Sequence, residues 1–202
     1  MSEVATDIQI AEEDRLRADF YDFLGALLAL PPSEALLKET AALTGDASDL
    51  GRAVATLAHL AGKASVKSAE REYNALFIGV ARGELLPYCS YYMTGFLNEK
   101  PLALLRQDMG RLAITRAPNV FEPEDNIASL CEMMAGLITG RFGHVADLDT
   151  QRAFFNKHIA PWAGHFFADL EAAKSSVLYA PVGKAGRAFV EIEAEAFRMV
   201  PG

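Results

Sequence analysis

The sequence predicts an all-helical fold. Apolar residues recur at three- and four-residue steps along most of the chain, and Pro and Gly stand at the ends of those stripes. No stretch alternates apolar and polar residues as a half-buried strand would. With 202 residues, 51% hydrophobic and 23% charged, the chain can bury a core of its own. About eight to ten helices are expected from the periodicity.

The first helix runs from Glu12 to Leu30, with Leu16, Phe20, Phe23, Leu24, Leu27 and Leu28 as its apolar face, and Pro31-Pro32 stops it. Ser33 caps a second helix carrying Leu36, Leu37 and Leu43. Thr44-Gly45-Asp46 breaks it before a third that runs toward Ala61. A fourth, from about Ser68, sets Tyr73, Leu76 and Phe77 on one side. Gly79 to Gly95 reads as a loop, interrupted by Gly79, Gly83 and Pro87, yet it holds Leu85, Leu86, Tyr88, Tyr91, Tyr92 and Met93. So apolar a loop must pack on something.

Helical pattern resumes after Pro101 with Leu102, Leu105, Met109 and Leu112. Thr115 to Glu122 reads as a break and is the best position for a hinge. It divides the chain into an N-terminal lobe (1–115), a hinge (116–122) and a C-terminal lobe (123–202). Pro123, followed by Glu124 and Asp125, is expected to open a helix whose apolar face is Ile127, Leu130, Cys131, Met134, Leu137 and Ile138. Gly140 and Gly143 end it, and a helix from about Asp149 to Ile159 follows. Pro161 starts another with Trp162, Phe166, Phe167 and Leu170, and Pro181 and Gly183 separate that from a last helix holding Phe189, Ile192 and Phe197.

The formal net charge of -8 disfavours nucleic acid and anionic membranes, whose binding needs clustered Lys and Arg; a basic peptide is the better-matched partner. Cys89 and Cys131 sit in apolar sequence outside any C-x-x-C, which reads as two buried free thiols. Met1 to Asp14 lacks the basic start and apolar core of a secretory signal, and no apolar run approaches a membrane span. A soluble, cytoplasmic protein is expected.

Chemistry is mostly missing. His59, His144, His158 and His165 lack metal-site spacing, and neither G-x-S-x-G nor a cysteine-nucleophile motif occurs. Gly183-Lys184 lacks the rest of a phosphate-cradling loop, and Glu191, Glu193 and Glu195 read as a solvated helical face. No catalytic residue, metal or resident cofactor is therefore assigned. Two segments remain unexplained by composition: Tyr88-Cys89-Ser90-Tyr91-Tyr92 and Glu122-Pro123-Glu124-Asp125-Asn126. Each alone could be core filler or a helix start; together they suggest an acidic, partly apolar groove suited to an Arg-containing peptide.

At these residues the sequence resembles the TorD/DmsD (NarJ-like) family of redox-enzyme maturation chaperones. The resemblance runs from about Arg15 to Met199. It rests on Tyr73-Asn74-Ala75-Leu76-Phe77, on Pro87-Tyr88-Cys89-Ser90, on Glu122-Pro123-Glu124-Asp125-Asn126 for the family's E-P-x-D-H, and on Phe154-Phe155 through His158 to Pro161-Trp162. It implies a helical two-lobe fold, monomeric or as a domain-swapped homodimer. It also implies a chaperone that binds the twin-arginine signal peptide of a molybdenum enzyme, holds back export and aids insertion of the molybdenum cofactor.

By carry-over, Tyr73, Pro87, Tyr88, Ser90 and Asp125 match positions that engage signal peptide. In the mechanism this suggests, Asp125, helped by Glu122 or Glu124, pairs with an arginine, while Tyr73, Tyr88 and Leu86 take the apolar segment. Leu76, Phe77, Tyr91, Pro123 and Asn126 complete the candidate site. Asn126 departs from the family's His, which bears on the weak guanine-nucleotide binding the resemblance implies and removes a group that titrates near neutrality. The run from Leu86 to Leu97 looks like members associated with formate dehydrogenases. The readings from other classes are a small helical enzyme working at the Asp125 helix start or the acidic last helix, and a structural subunit with the aromatic loop as its interface.

Overall fold

The computed structural model describes residues 10–116 and 122–199. Among them are ten α-helices, one π-helical turn and no strand. The elements are α1 (Glu12–Ala29), α2 (Glu34–Ala41), α3 (Asp49–Ala61), α4 (Val66–Tyr73), the π turn (Asn74–Ile78), α5 (Cys89–Thr94), α6 (Lys100–Arg111), α7 (Ile127–Thr139), α8 (Leu148–His158), α9 (Ala163–Ala172) and α10 (Tyr179–Met199).

Local chemistry sets most boundaries. Ser33, Ser48, Ser65, Asn126 and Asp147 each accept a backbone N–H in the first turn of the helix that follows, which satisfies one of its orphan donors. α7 ends at Gly140 with φ +78°, a left-handed conformation that a Cβ would penalise. The first turn of α10 is capped from a distance: the carboxylate of Glu72, on α4, accepts the N–H groups of Val177, Leu178 and Tyr179 at 2.7, 3.1 and 2.8 Å.

α7 is buried on nearly every side, with Ile127, Leu130, Met134, Ala135 and Ile138 sealed off from solvent, and α1 lies along it. α10 packs on α9 and α3, α5 on α6, and α8 on α7 and α6. The α9–α10 approach is close enough that a Cβ added at Gly183 would stand 2.6 Å from the carbonyl oxygen of Phe167. A single hydrophobic cluster runs from Ala18 through Leu57, Tyr73 and Ile127 to Phe155, Trp162, Tyr179 and Phe197, so residues from both halves of the sequence share it. The expected hinge, 116–122, lies outside the described residues except for Arg116 and Glu122.

Several expected boundaries shift. Pro123, Glu124 and Asp125 form a turn, not a first helical turn; α7 begins at Ile127, because Asn126 is extended and its side chain caps Ala128 N. The aromatic loop contains α5. Pro181 and Gly183 lie inside α10, where a proline among the first residues forfeits no intrahelical bond. Glu193 is not solvated: it is 1% exposed and takes Arg17 at 2.7 and 2.9 Å and the Tyr21 hydroxyl at 3.1 Å. On α1, Leu16 is exposed and Phe20 and Phe23 are only partly buried, while Ala18 and Tyr21 face the core instead.

Candidate functional site

The two segments that composition left unexplained meet in space. Cys89 N donates to the carbonyl of Asp125 (2.9 Å), Ile127 N donates to the carbonyl of Pro87 (2.9 Å), and Tyr88 and Asn126 form an antiparallel bridge. These bonds seat the aromatic loop on the start of α7. Asp125 is fully buried, and its Oδ2 accepts the backbone N–H of Ser90 at 2.7 Å. The carboxylate thus satisfies a donor at the start of α5 and ties α5 to α7. Asp125 Oδ1 and Ser90 Oγ, both buried, make no hydrogen bond among the described residues.

The other candidate residues divide by accessibility. Tyr73 and Leu76 are core residues. The Tyr73 hydroxyl donates to the carbonyls of Ala29 (2.8 Å) and Leu28 (3.3 Å), its ring lies edge-on to Phe77 at 5.0 Å, and burial pushes it up to about 12. Pro87 and Ser90 are buried, and Leu86, Phe77 and Tyr91 are half-buried. Arg82 lies 5.4 Å from the centre of the Tyr91 ring and donates to its hydroxyl. The half-buried Tyr88 donates its hydroxyl to the carboxylate of the exposed Glu122, and burial followed by that bond raises its pKa. Glu124 is 9% exposed, bound by Arg106 at 2.8 Å and faced by Arg116 at 3.7 Å; despite burial, these arginines hold its carboxyl below the usual range.

Asp125 and Glu124 are therefore engaged within the protein, and Tyr73 has no face open to a peptide. Cys89 and Cys131 are buried free thiols whose pKa values burial raises, so neither is an activated nucleophile. Among the described residues no cluster of His, Cys, Asp or Glu could hold a metal, and no helix is long and apolar enough to cross a membrane.

Beside the Pro123–Asn126 turn lies a groove of about 380 Å³ bounded by α1, the end of α6, the start of the break and α7. Ala26, Met109, Ile114, Met133 and Phe142 supply its apolar lining. Asp22, Glu122, Glu124 and Glu132 supply four carboxylates against two bases, Arg116 and Arg141. Arg141 is paired with Asp22 (2.9 Å), and Arg116 faces Glu124. Glu122 and Glu132 keep no basic partner within ion-pair distance among the described residues. The Glu132 carboxyl is pushed up, first by loss of solvation and then by Asp22. A cation entering this groove would meet two exposed carboxylates that form no ion pair, Glu122 holding the Tyr88 hydroxyl and Glu132 feeling Arg141 only at longer range, over apolar side chains.

Asp22, Glu132 and Arg141 line this groove and are candidates that sequence reasoning missed. Glu132 carried a usable signal, as the only charged residue between Ile127 and Thr139. Asp22 carried none, being one of many acids on α1.

A family model described as nitrate reductase delta subunit matches residues 43–168. Two curated proteins named chaperone protein TorD, from the El Tor Inaba N16961 and Classical Ogawa 395 strains of Vibrio cholerae serotype O1, are each 28% identical over 123 residues. Each alignment covers 57% of this chain and 56% of the relative, so the chain spans little more than half the length of those proteins. A crystal structure described as a redox enzyme maturation protein from Archaeoglobus fulgidus superposes with a TM-score of 0.57 at 20% identity. It covers 86% of this chain and 93% of the other, and shares the fold.

Proposed function

Because the chain belongs to the nitrate reductase delta subunit (NarJ/TorD) family, we propose that it is a chaperone that matures a molybdenum enzyme by binding its twin-arginine signal peptide. On this reading it holds back export while the molybdenum cofactor is inserted, and it performs no catalysis of its own. One observation carries the proposal: the groove between α1 and α7 combines an apolar lining with two carboxylates, Glu122 and Glu132, that lack a base of their own. A peptide with paired arginines supplies two cations for those two anions.

The physical logic is charge complementarity. Glu132 is exposed on the wall of the groove, where partial loss of solvation and the neighbouring Asp22 raise its carboxyl, and an incoming cation offsets that repulsion. A guanidinium fits better than an ammonium, being weakly hydrated and able to bind a carboxylate through two parallel N–H donors. At exposed carboxylates each such pair contributes on the order of 1 kcal/mol. Asp125 supports the site indirectly, by fixing the aromatic loop against the start of α7. Asn126 spends its side-chain oxygen on capping Ala128 N at 2.9 Å. On the resemblance of the Leu86 to Leu97 run, the client is a formate dehydrogenase; a pull-down that recovers a different molybdoenzyme and no formate dehydrogenase would overturn that choice.

The test is calorimetric titration of a synthetic peptide carrying two consecutive arginines followed by an apolar stretch, beside a control with both arginines changed to alanine. Micromolar or tighter binding that the control loses is the expected result. Absence of binding by the arginine peptides of all candidate molybdoenzymes would refute the proposal.

A further inference from the structure

A second cavity lies beside the hinge groove. It is a groove of about 720 Å³ between α1 and the α2–α3 loop, lined by Leu16, Phe20, Phe23, Leu43, Leu50 and Val54, with Asp19 and Asp46 as its charged lining residues and no base. An open apolar surface of this size on a chain of net charge -8 leaves apolar area exposed to water at a cost that folding alone does not require. Leu16, on α1, is 63% exposed, and Leu43, in the loop after α2 rather than on the helix where its sequence pattern put it, is 39% exposed.

The two grooves are neighbours across one helix. Leu16, Phe20 and Phe23 fall on one stripe of α1 and line the larger groove, while Asp22 and Ala26 fall on the adjoining stripe and line the hinge groove. Asp19 stands one turn from Asp22 and one turn from Leu16, at the junction. From Ala26 to Leu16 is ten residues of helix, a span of about 15 Å. Export signals place an apolar stretch of about 7–15 residues after their basic segment, and about ten residues in helical form cover the same distance.

Resting on the signal-peptide reading above, we propose that the α1–α3 groove seats the apolar stretch that follows the paired arginines. The arginines take Glu122 and Glu132, the chain crosses α1 beside Asp19, and the apolar stretch lies over Leu16, Phe20, Phe23 and Leu43. The charges set this direction: the groove with unpaired carboxylates takes the basic end, and the groove without a base takes the apolar end. Selectivity follows, since a client must present both features at the right separation, and a basic peptide with a polar continuation fills only half of the site.

The experiment is a double-mutant cycle. A peptide with two arginines and an apolar stretch of about twelve residues, and a second peptide with the leucines of that stretch changed to serine, are titrated into the wild type, a Leu16→Asp/Leu43→Asp variant and a Leu30→Asp control. Leu30 is 69% exposed and lines neither groove. All three proteins should show the same circular dichroism and melting behaviour, because the substituted side chains are exposed. The expected result is that the double variant binds the apolar peptide at least tenfold more weakly and the serine peptide unchanged, with Leu30→Asp silent. Equal loss in Leu30→Asp, or no loss in the double variant while the wild type still binds and still discriminates the arginines, overturns this inference and leaves the signal-peptide reading standing. No binding of either peptide to the wild type overturns both.

Discussion

Changing Asp125 to alanine separates a contact role from a positioning role. In the structure Asp125 is fully buried, and its Oδ2 accepts the Ser90 N–H at 2.7 Å. Removing the carboxylate leaves that N–H, in a residue that is itself fully buried, without an acceptor. Orphaning a buried donor costs about 1–3 kcal/mol, and a bond to a charged acceptor lies toward the upper part of that range, so about 2–3 kcal/mol is expected. In urea, with a slope of about 2–3 kcal/mol per molar, the midpoint should fall by about 1 M. Asp125→Asn keeps an oxygen acceptor and loses only the charge assistance, so its midpoint should fall by roughly half as much. The assay is equilibrium urea unfolding followed by far-ultraviolet circular dichroism, paired with calorimetric titration of the arginine peptide on the folded variants. In Asp125→Asn the loop stays docked, and affinity should change less than threefold. If Asp125→Ala unfolds within about 0.2 M of the wild type while peptide affinity drops tenfold or more, Asp125 meets the peptide directly and the positioning argument is wrong.

Three further outcomes can be checked. Glu132→Gln and Glu122→Gln should each weaken binding of the arginine peptide by roughly three- to tenfold with no loss of thermal stability, because both side chains are exposed. Glu193→Ala should destabilise by about 2–3 kcal/mol, read as a urea midpoint shift, because it leaves the buried Tyr21 hydroxyl without its acceptor and Arg17 with only Asp14 and Gln151. The His158 imidazole is 3% exposed, and burial lowers its pKa from 6.5 even though it bonds Asp108 at 2.8 Å. The unfolded chain then binds the extra proton, so this group makes stability fall as the pH drops below about 6.5 toward the lowered native value; thermal melts of His158→Gln should show a shallower decline across that interval.

Much of the fold was legible because helices announce themselves locally. The cap at Ser33, the stops at Pro31-Pro32 and Gly140, and the apolar stripe of α7 depend on residues within a turn or two of one another, and the all-helical reading followed from them. α5 was missed because six residues hold too little periodicity to stand out in an aromatic loop. The start of α7 was placed early because Pro-Glu-Asp is a good helix opening in isolation; in the fold Asn126 is extended and caps Ala128 N, and Asp125 accepts the N–H of Ser90, far off in sequence.

The candidate site divides in the same way. Sequence alone supplied the candidate residue types, acids beside aromatics near the Pro123 turn, and the excess of acid that suggests a basic partner. It could not say which acids are free, because that depends on which bases fold against them. Tertiary structure buried Asp125, paired Glu124 with Arg106 and Asp22 with Arg141, and left Glu122 and the unsuspected Glu132 to face the groove. A carboxylate's availability is set by the distance to its nearest cation and by the water around it. Both are properties of packing between distant segments, whereas helix type and polarity pattern are written within a few residues.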